Sequence, residues 1–249
     1  MSDFNALHKF RLVLVSPLYA GNIGSVARLA TNFEITDVVL VSPQCDHLDA
    51  EAQKFACKLS QDKLRSFRVV TSLQEAIADC RAVVGFTRRT GEFRKGDVEV
   101  DGIYSLVNSG RVALVFGRED NGISRDEILQ CSHVCAIPTS DSCPSLNLSH
   151  AVAVVLSQLF LANRDNVWVE EKALEAALPA STEVVSELMS EWRTTLVAVG
   201  LTRAGNPERM LPHLLRILQR ARVSDRDVNI LRGFFSHAQI ALGIKDNKR

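Results

Sequence analysis

Leu114-Val115-Phe116-Gly117-Arg118-Glu119-Asp120-Asn121-Gly122 decides how this chain is read. The run Val112–Phe116 is apolar without alternation, the mark of a strand covered on both faces, as in a parallel sheet. It stops at a turn bounded by Gly117 and Gly122. Just beyond, Ser124-x-x-Glu127 fits a capping box that opens a helix. Strand ends of this kind are where open α/β sheets collect ligands. Turn geometry alone explains both glycines; the charged cluster Arg118, Glu119, Asp120 is what points to a crevice.

The same alternation runs outward in both directions. Further strands are expected at Phe10–Val15, Val38–Val41, Arg68–Val70, Ala82–Phe86 and Val134–Ile137. Helices are expected at about 25–33, 50–59 and 148–162, the last apolar on most faces and so largely buried. Ser72-x-x-Glu75 offers a second capping box. This is an α/β domain over residues 1–163. Residues 164–182 read as a polar linker containing Pro179. Residues 183–249 read as an all-helical extension, with Pro207 in the first turn of one helix and Ser224 capping another.

Bulk properties narrow the class. The chain has 249 residues, with 29 basic and 29 acidic side chains. A neutral total leaves room for a local basic face. The six cysteines form no C-x-x-C pair and the histidines show no metal spacing, so reduced thiols and no metal are expected. There is no G-x-G-x-x-G, no P-loop and no G-x-S-x-G elbow. No signal peptide or membrane span is apparent, and a soluble cytoplasmic protein is expected.

Three more segments belong with the first. Asn22-x-Gly24-x-x-x-Arg28 follows strand one and opens a helix. It is either a loop with Asn22 as cap, or an anion site in which free N–H groups and the Arg28 guanidinium hold a phosphate. Ile137-Pro138 ends a strand, and Ser145-Leu146-Asn147 leads into the long helix. Ser145 is either an N-cap there or part of a loop around a nucleoside. Gly85-Phe86-Thr87-Arg88-Arg89 leaves the fourth strand at the same crevice or as plain surface charge. In the extension, Arg209, Arg216 and Arg220 share one helix face, either as a solvated surface or as a grip on a phosphate backbone.

Taken in order, these segments resemble the SPOUT class of methyltransferases, in its RNA ribose 2'-O-methylating branch. They match its Asn-x-Gly-x-x-x-Arg, Leu-Val-Phe-Gly-x-Glu-x-x-Gly and Ile-Pro…Ser-Leu-Asn-Leu-Ser motifs over residues 11–162. With Asn229-Ile-Leu-Arg-Gly233, the extension resembles the bacterial TrmJ-type tRNA (cytidine/uridine-2'-O-)-methyltransferases. The resemblance implies a SPOUT-type parallel sheet with a trefoil knot, followed by the small helical extension, in a homodimer whose site is built by both subunits. It implies S-adenosylmethionine held at Gly85, Phe86, Thr87, Leu114, Gly117, Ile137, Pro138, Ser145, Leu146 and Asn147. Arg28 would stabilise the reacting ribose and its phosphate, Asn22 and Glu119 would brace that arginine, and Ser145 and Asn147 would hold cofactor and ribose. Arg28, Arg88, Arg89, Arg118 and the arginines of the extension would meet RNA. The implied reaction is 2'-O-methylation at position 32 of the tRNA anticodon loop. Another tRNA or ribosomal RNA ribose is the enzymatic alternative, and a non-catalytic RNA-binding protein the alternative of a different class. Phe86 departs from the family pattern, which has a small polar residue there, and is expected to alter the cofactor pocket's rim.

Overall fold

A computed structural model describes residues 6–88, 98–164, 178–198 and 207–244. The chain divides into two compact units, Met1–Glu171 and Lys172–Arg249.

The first unit is built on β1 (Phe10–Val15), β2 (Asp37–Val41), β3 (Arg68–Val70), β4 (Ala82–Phe86), β5 (Val112–Phe116) and β6 (His133–Cys135). These form one sheet in the order β3-β2-β1-β5-β4-β6, and every pairing among them is parallel. The expected apolar runs are the strands, because a parallel sheet is covered on both sides. In β5, Val112, Leu114 and Phe116 join one core, and Ala113 and Val115 the other, the two-residue period of a strand. The last strand is shorter than expected and stops at Cys135, two residues before Ile137.

Helices α1 (Ala20–Asn32), α2 (Ala50–Ala56), α3 (Gln61–Arg65), α4 (Leu73–Ile77), α5 (Arg125–Ile128) and α6 (Leu148–Arg164) cover the sheet. Four differ from expectation. α1 begins at Ala20, five residues before the expected start, with Tyr19 as an N-cap that makes no side-chain bond. Gly21 and Gly24 read locally as a loop because glycine is a poor helix former. Packing overrides that preference: a Cβ on Gly24 would stand 2.1 Å from the Ala52 carbonyl oxygen, so a bare backbone is what lets α1 lie against α2. The expected helix at 50–59 is cut at Cys57, whose φ of 55° leaves the helical region and hands over to a 3-10 turn, Lys58–Ser60. The box at Ser72 is half made: Ser72 accepts from the Glu75 N–H, but Glu75 accepts from Thr71. α6 is buried along one stripe, Leu148, Val152, Val155, Leu156 and Leu159, while Val154 and Leu161 are exposed. The expected burial on most faces does not hold for this chain taken singly.

The second unit contains α7 (Thr182–Ala198), α8 (Pro207–Arg220) and α9 (Asp225–Ala241). Ser224 caps α9 in a full box with Asp227. The expected linker falls largely outside the described residues. Its last part is packed rather than loose: Pro179 bridges to Ser224, and the Ala180 N–H donates to the Val223 carbonyl at 2.7 Å. Among the described residues no helix is long and apolar enough to cross a membrane.

Candidate active site

The C-terminal ends of β4, β5 and the stretch after β6 open onto a cavity of about 270 Å3. Parallel strands bring their ends together there, and the turn of each strand supplies a wall. Phe86 and Phe116 are register partners on adjacent strands. Their rings stack at 4.3 Å and 6°, forming an apolar wall with Leu148 and Ala151 of α6. Phe86 is only 8% exposed, so it is wall rather than rim. The opposite side is polar: Thr87, Arg88, Gly117 to Gly122, Thr139 and Ser145.

The Gly117–Gly122 turn is tightly closed. Arg118 and Gly122 exchange backbone hydrogen bonds, and Gly122 has φ +63°. A Cβ on Gly117 would lie 2.1 Å from the Gly122 carbonyl carbon, so no side chain fits. Arg118 locks the turn from outside. Its guanidinium donates twice to Glu127, at 2.7 and 3.0 Å, and once to the Gly122 carbonyl. The hydrogen bond to Glu127 raises the Arg118 pKa. Burial pushes Glu127 up, but Arg118 and the Ser124 N–H overcome it and hold the carboxyl below its usual range. Arg118, expected to meet RNA, is thus already committed to the capping box of α5.

Glu119, Asn22 and Asn147 form a chain of hydrogen bonds across all three motifs. Glu119 accepts from the Leu18 N–H at 2.9 Å and from the Asn22 amide at 2.8 Å. Asn22 in turn accepts from the Asn147 amide at 3.1 Å. Asn147 accepts from the N–H and hydroxyl of Ser149. This changes two expectations. Asn147, not Ser145, caps α6. Glu119 and Asn22 brace Asn147 rather than Arg28, because Asn22 lies in the first turn of α1, facing the β5 turn.

Arg28 is exposed on α1 and is absent from the cavity wall. Gly24, four residues earlier, is a full turn inside the helix, so its N–H belongs to the helix ladder. The expected anion site at that N–H is therefore withdrawn. Among the described residues no hydrogen bond or ion pair joins Arg28 to Glu119 or Asn22.

Of the expected cofactor residues, Phe86, Thr87, Gly117, Ile137, Ser145 and Leu146 line the cavity. Gly85, Leu114 and Asn147 do not: the first two lie inside their strands, Leu114 fully buried, and Asn147 is taken up by Asn22 and Ser149. Pro138 is exposed beside Ile137. Arg88 lines the cavity and meets Asp141 at 3.4 Å; Arg89 lies outside the described residues. In the extension Arg220 is exposed, but Arg216 is 9% exposed and turns inward, so the expected common basic face is broken. The side chain of Arg209 lies outside the described residues. Sequence reading missed Phe116, Leu148 and Ala151 as walls and Glu127 as the anchor of Arg118. The register of β4 on β5 was the signal for the first; the capping box was the signal for the last.

Comparison with known proteins agrees with this arrangement. The profile of the SpoU rRNA methylase family matches residues 9–157, and that of the tRNA methyltransferase TrmJ C-terminal domain matches residues 183–248. The tRNA (cytidine/uridine-2'-O-)-methyltransferase TrmJ of Escherichia coli strain K12 is 32% identical over 97% of this chain and 99% of its own. Among solved structures, TrmJ from Z. mobilis ZM4 shares the fold with TM-score 0.77 at 24% identity, over 92% of this chain and 98% of that one. The SpoU methyltransferase AviRb from Streptomyces viridochromogenes, solved in complex with AdoMet, shares it with TM-score 0.52 at 21% identity, over 64% and 62%.

Proposed function

This chain belongs to the SpoU methylase family and, within it, to the TrmJ-type tRNA methyltransferases, and we propose that it methylates the 2'-hydroxyl of the ribose at position 32, cytidine or uridine, in the tRNA anticodon loop. The observation that carries the reading is the Glu119–Asn22–Asn147 chain, which joins three distant motifs to one another, with Glu119 on the cavity wall.

The cavity fits S-adenosylmethionine in kind. Its wall of Phe86, Phe116, Leu148 and Ala151 suits an apolar, planar base, and its polar turns suit the charged amino-acid end. Bound there, the cofactor supplies a sulfonium methyl. Backbone at Phe86–Thr87, Gly117 and Ile137, with Ser145 and Leu146, would hold it. Asn147, fixed by Asn22, would orient the ribose. That methyl would pass to the ribose 2'-oxygen, the sulfonium taking the carbon–sulfur electron pair to become a thioether and the hydroxyl proton going to solvent. Positioning supplies much of the rate.

Arg28 completes the site in a homodimer. It stands on α1, away from its own chain's cavity, exposed and without an ion pair among the described residues. A second copy would bring it to the opposite cavity, where a guanidinium binds the neighbouring phosphate and stabilises developing alkoxide charge. The knot implied by the resemblance belongs to the same reading, as does action in the cytoplasm.

The test is direct. Purified protein is incubated with unmodified tRNA and S-adenosylmethionine, and the methyl group is located by mass spectrometry of nuclease fragments. A ribose methyl at position 32 is expected. A methyl on another tRNA or ribosomal RNA ribose would move the assignment within the family; no transfer to any RNA would leave the non-catalytic RNA-binding reading.

A further inference from the structure

α9 is two-faced in a way its own unit does not use. One face packs on α7. Val228 and Phe235 are buried, and Phe235 lies 4.5 Å from the Trp192 ring. Arg232 pairs with Glu187 at 2.9 Å and Glu191 at 3.1 Å, and Gln239 donates to the Thr195 hydroxyl at 2.9 Å. The other face carries Arg226, Asn229, Ile230, Gly233, Phe234 and His237, spaced as one helical stripe. Ile230 is 61% exposed and Phe234 is 67% exposed. Isolated exposed apolar residues need no explanation, but an aromatic and a β-branched residue one turn apart form a patch.

We propose that this stripe is a stacking platform for an unpaired nucleobase of the RNA substrate, with Phe234 as the stacking ring. The proposal rests on the tRNA reading above and adds to it a surface and its chemistry. Four features fit a base. The Phe234 ring is held edge-to-face by Phe235, 5.4 Å away at 85°, so it is oriented before anything binds. A Cβ on Gly233 would meet nothing within 4 Å, so the space beside the ring admits a flat group. Asn229 presents an amide fork. The His237 Nδ1 donates to the Gly233 carbonyl at 2.8 Å, which leaves the exposed ring's Nε2 for an edge contact. Single-stranded RNA is recognised in this way, by stacking on aromatics beside polar edge contacts.

Charge separates RNA from a second copy of the chain as the occupant. The stripe holds Arg226, and exposed Arg220 and Arg222 flank it across the α8–α9 turn, against the exposed acids Asp225 and Asp227. Of the two acids at that turn, Asp227 is turned back onto Ser224 as its capping partner. A second copy docking this same face about a two-fold axis would set the arginines of the two copies against each other, whereas a phosphate backbone brings them counter-charge.

The experiment measures binding of a fluorescein-labelled, unmodified tRNA transcript to the full-length protein across a series of salt concentrations. Phe234→Ala is expected to weaken binding about tenfold at every salt concentration, with the slope of log Kd against log salt unchanged, since stacking releases no counterions. Phe234→Trp is expected to restore wild-type affinity, and sedimentation velocity to show the same mass for all three proteins. Wild-type affinity in Phe234→Ala would overturn the proposal, as would a change of oligomeric mass, which would give the stripe to a second copy. Failure of the wild-type protein to bind tRNA at all would instead remove the tRNA reading itself.

Discussion

Strand β1 and the helix that follows it use arginine in opposite ways. At the end where strands begin, Arg11 of β1 is buried, its side chain only 6% exposed. It donates to Asp37 at 2.7 Å, to Asp79 at 2.5 Å and to the Ala76 carbonyl at 2.7 Å. Arg111 closes the cluster onto the same Asp79. Burial alone would lower the Arg11 pKa; the bonds to Asp79 and Asp37 outweigh it and raise it. Burial likewise pushes the neighbouring Cys80 thiol up to about 12. At the end where strands finish, the cavity opens, and Arg28 stands exposed on the helix that leads back from it, past that helix's midpoint. What differs is the convergence of carboxylates. Arg11 meets two and is consumed by the fold; Arg28 meets none among the described residues. Arg118 is the exception at the cavity end, because Glu127 reaches it.

Substitution can break this contrast. The largest effect is expected from Arg11→Ala, which removes a buried guanidinium and leaves Asp37, half-exposed Asp79 and the buried Ala76 carbonyl without it, Asp79 keeping only Arg111. Urea unfolding should show a loss of about 2–3 kcal/mol, and a loss under 1 kcal/mol would mean the cluster is ornamental. Arg28→Ala should do the reverse: unchanged stability, methyl transfer down by about 10²–10³, and S-adenosylmethionine affinity within about threefold by calorimetry. Equal loss of cofactor affinity would contradict its proposed role. Arg28→Lys should recover only part of the rate, since the planar fork is lost.

Smaller effects sharpen the same contrast. Gly24→Ala places a methyl group against the Ala52 carbonyl and should cost about 1–3 kcal/mol by forcing α1 from α2. Retained stability would show that the two helices can separate freely. Glu127→Gln tests the exception. The folded protein lowers the Glu127 pKa, so the pair with Arg118 stabilises fully above the ordinary value of 4.5 and loses that contribution as pH falls through the lower folded value. The variant should be less stable by about 1 kcal/mol at neutral pH, and the difference should vanish in acid. A difference that persists at low pH would assign it to packing instead.

Much of this was legible in advance. The β-strands could be read from uninterrupted apolar runs, because a strand covered on both faces has no polar side to show. The Ser124–Glu127 box was legible because a cap is a local contact. The start of α1 was not legible, since glycines that permit close helix contact look locally like glycines that end a helix. Nor was the partner of Glu119: Asn22, Arg28 and Arg118 were all available in the sequence, and only position in space chose Asn22.

Local chemistry thus settled which segments are strands, which turns carry polar groups and which motifs belong together, because each of these depends on neighbours a few residues away. Folding alone settled which arginines are spent on the protein and which are left exposed, that Asn147 rather than Arg28 receives the support of Glu119 and Asn22, and that Phe86 lies flat against Phe116. Those outcomes depend on strand register and helix approach, which join residues about a hundred positions apart, and no short window of sequence contains both partners.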